Sequence, residues 1–338
     1  MLHVGLDMHK RFSELAVVDD RGGLRDRKTL RHNDRPGMVD YFRPLSGKAV
    51  VAVEAVRNWY WLYELLEELG VEVKLVHPRK VRLIAESKNK SDRVDALVLA
   101  QLERVGYLPQ AYIPPRPVRD MRELLRYRLT LVRLRTGLKN RIHALLDKLG
   151  IQQSFADLFG KAGRKFLAAV ELRPVYRREL DNYLELIEEA ERRIAAVGRE
   201  IKAQLSPDPR AELLMTIPGV GVLTAYLLLC EIGEIGRFLS AKKLCAYGGI
   251  VPTVKQSADH LWQGRITKEG SRYIRWAMVE AACKAPSHDV HLGRFYRRLA
   301  LRRGPQKARV AVARKLLVAV WHVLTYNEPY EPRYDTTV

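Results

Sequence analysis

Cysteine is scarce in this 338-residue chain, and the little there is does not cluster. Cys230, Cys245 and Cys283 form an odd set with no CxxC pair and no zinc spacing. That excludes a disulfide scaffold or a zinc ribbon and predicts buried thiols in a cytoplasmic protein. No apolar run approaches the length of a membrane span, and the N-terminus lacks a charged-then-apolar leader. No membrane role is expected. Acid is the other deficit. Thirty-nine Asp and Glu face 59 Lys and Arg, a formal net charge of +20. Such an imbalance concerns partners rather than fold, and it favours a polyanion. The length predicts two or three domains, ample for a real core.

The excess base is unevenly placed. Arg116 to Lys148 holds ten basic residues and three acidic, and Leu261 to Trp321 holds fourteen and three. Those segments carry nearly the whole excess. The first hundred residues are therefore close to neutral, and binding of a polyanion must lean on the two basic segments.

The N-terminal part alternates short apolar runs with one amphipathic segment. His3 to Asp7 and Lys48 to Glu54 read as strands that stay apolar until they finish on an acid. Ser13 to Val18 reads as a returning strand, Trp59 to Leu69 as a helix and Val71 to Val76 as a further strand. The pattern is α/β with a mixed sheet. Ser91 then starts a helix whose first turn carries Asp92 and Asp95, three apart and so on one face. Acids near a helix start also serve the helix dipole, and acids cap strands at a solvent edge. Lys88, Lys90 and Arg93 crowd the pair, however. Carboxylates gathered from separate elements are how Mg²⁺ is held, since this hard ion takes oxygen ligands.

Ile113-Pro-Pro-Arg-Pro117 breaks the chain. Beyond it, a helix starting near Val118 keeps a seam of Leu131, Leu138, Ile142, Leu145 and Leu149, with Arg122, Arg126, Arg133, Lys139 and Arg141 on its other faces. A second helix spaces Leu180, Leu184, Ile187, Ile194, Ile201 and Leu205 by fours and threes, broken at Glu191 and Gly198. The pair reads either as an intramolecular helical hairpin or as a dimerisation arm whose basic helix binds nucleic acid. Ser206-Pro-Asp-Pro209 ends it. Ile217-Pro-Gly-Val-Gly221 leading into a helix has helix-hairpin-helix form, where N–H groups at the helix start can meet a phosphate. Close helix packing also uses such glycines. A polar loop is expected from Thr253 to Gln263, then helix through Ala282 and again from about Gln306 to Leu324.

Gly5-Leu-Asp7-Met-His-Lys10, Val53-Glu54-Ala55 and Lys90-Ser-Asp92-Arg-Val-Asp95-Ala96 resemble the DEDD tetrad of RuvC-like nucleases with an RNase H-like fold. More narrowly, they resemble the insertion-sequence one-hundred-and-ten family of transposases, the serine-bearing DEDD recombinases. Ile217 to Gly221, Tyr247-Gly-Gly-Ile-Val-Pro252 and Gly264-Arg-Ile-Thr-Lys268 resemble that family's transposase domain. The resemblance runs in order from about residue 3 to 324. It implies a RuvC-like catalytic domain over 1–112, a helical coiled-coil domain over 113–206 and a mostly α-helical transposase domain over 207–338. It implies Asp7, Glu54, Asp92 and Asp95 as ligands of two Mg²⁺ ions, with Mn²⁺ as a substitute. Ser257 falls at the second serine of the family's Ser-Ser-Gly-Gly-Lys loop and is the implied nucleophile, although Lys255-Gln-Ser257-Ala-Asp-His260 lacks the small flanking residues. Donor and target DNA, a structured non-coding bridge RNA and further copies of the chain, as dimer or tetramer, are the implied partners. From the residues alone Ser257 is an ordinary loop serine, since spacing supports no triad. A resolvase that cuts with water and a non-catalytic binding scaffold are the competing readings.

Overall fold

The computed structural model describes residues 1–56, 58–84, 92–257 and 260–332. The chain divides into two compact units, Met1–Ile113 and Pro114–Val338. Lys88, Lys90 and Ser91 lie outside the described residues.

The first unit runs β1 (Leu2–Met8), β2 (Phe12–Asp19), β3 (Leu24–Arg31), α1 (Arg35–Phe42), β4 (Ala49–Glu54), α2 (Trp59–Glu68), β5 (Glu72–Val76), α3 (Pro78–Ile84) and α4 (Asp92–Arg104). Its sheet has the order β3-β2-β1-β4-β5. The first three strands pair antiparallel, while β1–β4 and β4–β5 are parallel. The α/β reading with a mixed sheet holds. β4 is Ala-Val-Val-Ala-Val-Glu and buried through Val53, as a parallel strand covered on both faces should be. β3 and α1 add to the elements the sequence predicts. β3 is Leu-Arg-Asp-Arg-Lys-Thr-Leu-Arg and exposed except at Leu30, so no hydrophobic period marks it. Its charges protect the sheet edge from pairing with another chain.

Alternation along the strands sorts the two faces. Val4, Leu6, Val51 and Val53 pack with Met38 and Phe42 of α1 and Leu62, Leu65 and Leu66 of α2. Each such side chain contributes roughly 1.5–3 kcal/mol when fully buried. On the opposite face Ala52 and Val76 meet Leu99 of α4. A Cβ built on Gly5 would lie 2.0 Å from the Ala96 carbonyl oxygen and 2.4 Å from the Ala100 nitrogen, so glycine there lets α4 rest on the backbone of β1. The far end of α4 is pinned by charge. Glu103, though buried, accepts from Lys74 Nζ at 2.8 Å and also contacts His3 Nδ1.

The second unit opens with α5 (Arg116–Lys148), α6 (Lys161–Ala169) and α7 (Pro174–Gln204). α5 and α7 pack antiparallel within the chain. Leu138, Ile142 and Leu145 share one cluster with Leu180 and Ile187. Leu125 and Leu129 share another with Ile194, Val197 and Ile201. The fours-and-threes seam of α7 is thus spent on an intramolecular helical hairpin. At the two apparent breaks in the seam, Ala190 and Val197 take the buried positions one residue earlier than Glu191 and Gly198. Glu191 turns instead to Arg164 at 2.8 Å.

The rest of the unit is α8 (Pro209–Met215), α9 (Val222–Ile232), α10 (Ala241–Tyr247), β6 (Pro252–Ser257), β7 (His260–Ile266), α11 (Arg272–His288), α12 (Val290–Arg303) and α13 (Pro305–Tyr326). The stretch expected to be a polar loop is a two-stranded antiparallel ribbon, β6–β7. Its backbone bonds pair locally, so it needs no hydrophobic run to form. Periodicity does not reveal α12 either, because only Leu292 and Gly293 are buried along it. Cys230 and Cys245 are buried as expected, but Cys283 is exposed, since it falls on the outer side of α11. No described helix is long and apolar enough to cross a membrane.

Candidate active site

In the first unit the acids converge at one end of the sheet. Asp7 is the penultimate residue of β1 and Glu54 the last of β4, and these strands pair in parallel with Leu6 opposite Val53. The next residues on the two strands are therefore Asp7 and Glu54, side by side. Both alternate onto the sheet face that α4 covers. Asp92 and Asp95 occupy the first turn of α4. Because α4 lies against Gly5, its N-terminal end reaches the carboxyl end of β1.

His9, one residue past β1, completes the cluster. Its Nε2 stands 3.1 Å from Asp7 Oδ2 and 3.0 Å from Asp92 Oδ2. Neither contact is aligned as a hydrogen bond. The His9 ring stacks on Phe12 at 4.7 Å between centroids, and its carbonyl accepts from Asn58 Nδ2 at 2.9 Å. That bond ties the turn after β1 to the loop after β4. Sequence reasoning missed His9. The available signal was its i+2 spacing from Asp7, which keeps it on the same face of an extended chain.

Ligand atoms of Asp7, His9 and Asp92 all lie within 4.8 Å of one another. Burial raises the Asp7 carboxyl above its ordinary pKa. His9 opposes that rise, and the charges of Asp92 and Asp95 add to it. Carboxylates crowded enough to repel one another are what a divalent cation relieves, and oxygen donors suit Mg²⁺ or Mn²⁺. The residues fit such an ion. Among the described residues, Glu54 and Asp95 do not join the three-group cluster. Glu54 is half-buried at its rim and Asp95 is exposed.

In the second unit Ser257 ends β6, in register with His260 of β7. The ribbon's base is clamped to the α10 region. Thr267 N–H donates to Val251 O at 2.9 Å, Lys268 N–H to Gly249 O at 3.1 Å and Ser271 N–H to Tyr247 O at 2.7 Å. Ser271 is doubly committed. It caps α11 by accepting from Ile274 N and donates to the buried Glu231 at 2.9 Å.

Several arginines of α5 are not on a nucleic-acid face. Arg119 and Arg122 are buried, Arg122 donating to Cys230 O. Arg126 pairs with Glu231 at 2.7 Å and stacks on Tyr273. Arg133 and Arg141 remain exposed. The Pro-Gly-Val-Gly turn between α8 and α9 divides its glycines by role. Gly219 has φ +84° and a Cβ there would lie 2.5 Å from Ala281 O, so it serves packing on α11, whereas nothing crowds Gly221.

Comparison with known sequences agrees with this arrangement. Residues 4–151 match the DEDD-type IS110 transposase model, and residues 211–297 match the Transposase IS116/IS110/IS902 family. A probable family 20 transposase of Pseudomonas aeruginosa is 29% identical over 348 residues, covering 97% of this chain and 98% of its own. The transposase for insertion sequence element IS1111A of Coxiella burnetii is 28% identical, covering 97% and 90%. The transposase for IS1328 of Yersinia enterocolitica is 29% identical, covering 82% of each. An α/β unit with an acidic strand-end cluster, followed by a basic helical unit, is here that of a DNA transposase. The chain belongs to the IS110 family of insertion-sequence transposases.

Proposed function

We propose that this transposase cuts and rejoins DNA for the insertion and excision of a mobile element, with Asp7, Glu54, Asp92 and Asp95 holding Mg²⁺ and Ser257 as nucleophile. The convergence of Asp7, His9 and Asp92, with the Asp7 pKa raised, carries this reading. It assigns an RNase H-like catalytic domain to 1–112, a helical arm to 113–206 and a transposase domain to 207–338. Two ions bound by these carboxylates would lower the pKa of an attacking oxygen and stabilise a leaving one. The chain's own part is to hold that charge on a rigid sheet end and to present Ser257 at the end of a clamped ribbon. Its oxygen loses a proton and bonds phosphorus as a P–O ester bond breaks. The products are a phosphoserine link and a free hydroxyl end, and attack by a new hydroxyl end reverses the exchange. Ser271 is a poor rival, since capping α11 and bonding Glu231 already occupy its hydroxyl. Sequence choice by a structured bridge RNA and action as a dimer or tetramer in the cytoplasm complete the proposal.

A denaturing gel of cleavage reactions tests it. The expected result is a covalent protein–DNA adduct that Ser257→Ala removes while fold and Mg²⁺ binding persist. Free DNA ends without an adduct, and a Ser257→Ala protein that still cuts, would show a water-using endonuclease instead.

A further inference from the structure

Four of the five tryptophans pack against cores, Trp59 and Trp61 in the first unit and Trp276 and Trp321 in the second. Trp262, on β7, is 58% exposed. Among the described residues its ring makes no aromatic or cation–π contact. A lone exposed aromatic is ordinary on a protein surface, so its meaning rests on what lies beside it. A Cβ on Gly264, two residues along the same face, would lie 2.6 Å from the indole ring and 2.4 Å from Thr253 Oγ1. Part of the indole therefore lies over Gly264, and more than half of the residue's surface is exposed.

The ribbon's register says what lies beside it. Lys255 pairs with Trp262 and Ser257 with His260. Paired residues of an antiparallel ribbon share a face, and so do residues two apart. Ser257, Lys255, His260 and Trp262 thus occupy register positions on one face, with Trp262 one residue pair of that face away from Ser257. Arg265, Lys268 and Arg272 are exposed or half-exposed close by in the chain. Of these only Arg265 is in β7, and its odd offset from Trp262 puts it on the other ribbon face, whereas Lys255 shares the register position opposite Trp262. An exposed π-face on a ribbon of a basic segment matches a nucleic-acid strand, whose bases stack on aromatic rings.

We infer that Trp262 is a stacking platform for an unpaired base of the DNA strand being cut. The base would lie on the indole, on the ribbon face that carries Ser257, and so hold the scissile phosphate in register. The occupant is DNA rather than RNA because the face is that of the serine. The inference rests on the proposed role of Ser257 for its meaning, though not for its detection. Stacking reads no hydrogen-bond edge, so the platform would tolerate any base.

The test uses the full chain and duplex DNA carrying a short unpaired stretch with 2-aminopurine, whose fluorescence falls when it stacks. Binding to wild type should quench the probe. Trp262→Leu should abolish the quench and weaken binding of the gapped duplex roughly tenfold, within the range for removal of one base stack. Trp262→Phe should retain both, and intact duplex should bind all three proteins alike. Equal behaviour of wild type and Trp262→Leu would overturn the inference. So would equal loss in Trp262→Phe and Trp262→Leu, which marks a structural role, or quenching only by an RNA probe. Ser257→Ala separates the two proposals, since it should lose the adduct and keep the quench. Quenching in a wild type that forms no adduct would sink the nucleophile and leave the platform standing.

Discussion

Gly5 on β1 and Ala96 on α4 are in backbone contact, so close that a Cβ on Gly5 would lie 2.0 Å from the Ala96 carbonyl oxygen. The acidic first turn of α4 reaches Asp7 and His9 because nothing separates helix from strand at this point. Spacing between site residues is thus set by a residue that carries no functional group.

Gly5→Ala should therefore act on site and stability together. The new methyl meets backbone atoms that cannot rotate away, and overpacking of this kind costs about 1–3 kcal/mol or more. Chemical denaturation should show the loss, and titration with Mn²⁺ should show weakened binding. Unchanged stability would mean that α4 can shift on the sheet at little cost.

Asp92→Asn should remove cation affinity without harming the fold, because it deletes charge from a self-repelling, partly exposed group. Mg²⁺ should raise the wild-type melting temperature, since a ligand at a hundredfold excess over Kd adds about 2.7 kcal/mol. Asp92→Asn should melt at or above the metal-free wild type and show no such rise. Retention of Mg²⁺-dependent cleavage by Asp7→Asn, Glu54→Gln and Asp92→Asn alike would remove the metal assignment.

The arginines of α5 should separate into two behaviours. Arg126→Ala takes from the buried Glu231 its charged partner at 2.7 Å and leaves it, among the described residues, only the Ser271 hydroxyl, a loss of roughly 3–5 kcal/mol. Arg133→Ala with Arg141→Ala should barely change stability. It should lower the slope of log affinity against log salt by about one for each phosphate that goes unneutralised. A salt slope unchanged in the double variant would show that these two arginines only solvate the helix.

Thiol reactivity should follow burial. Desolvation pushes the Cys230 and Cys245 thiols up to about 11, so both stay protonated at pH 8 and poor as nucleophiles. Cys283 is exposed. Mass spectrometry after brief alkylation of native protein should find Cys283 modified first. Early labelling of Cys230 would mean that the α9 core opens readily.

Two members of the three-residue cluster, Asp7 and Asp92, were legible in the sequence, and for a definite reason. Asp7 and Glu54 stand out because apolar strands that stop on an acid leave few other positions for a charge. Asp92 and Asp95 stand out because an apolar-periodic run fixes their place in the first turn of a helix. Period alone also reveals the helical hairpin, since Leu180, Ile187, Ile194 and Ile201 must be buried somewhere. Tertiary structure decided where, by closing α7 on α5. It decided as well that Arg119, Arg122 and Arg126 turn inward, because a guanidinium is read as surface until a buried carbonyl or carboxylate such as Cys230 O or Glu231 is seen opposite it. β3 escapes notice because an exposed edge strand has no hydrophobic face. The β6–β7 ribbon escapes because its strands are held by local backbone bonds and not by a core. His9 joins the site only once α4 is laid over Gly5. A residue's chemistry is local and written in the chain, whereas its partners come from segments that only packing brings together.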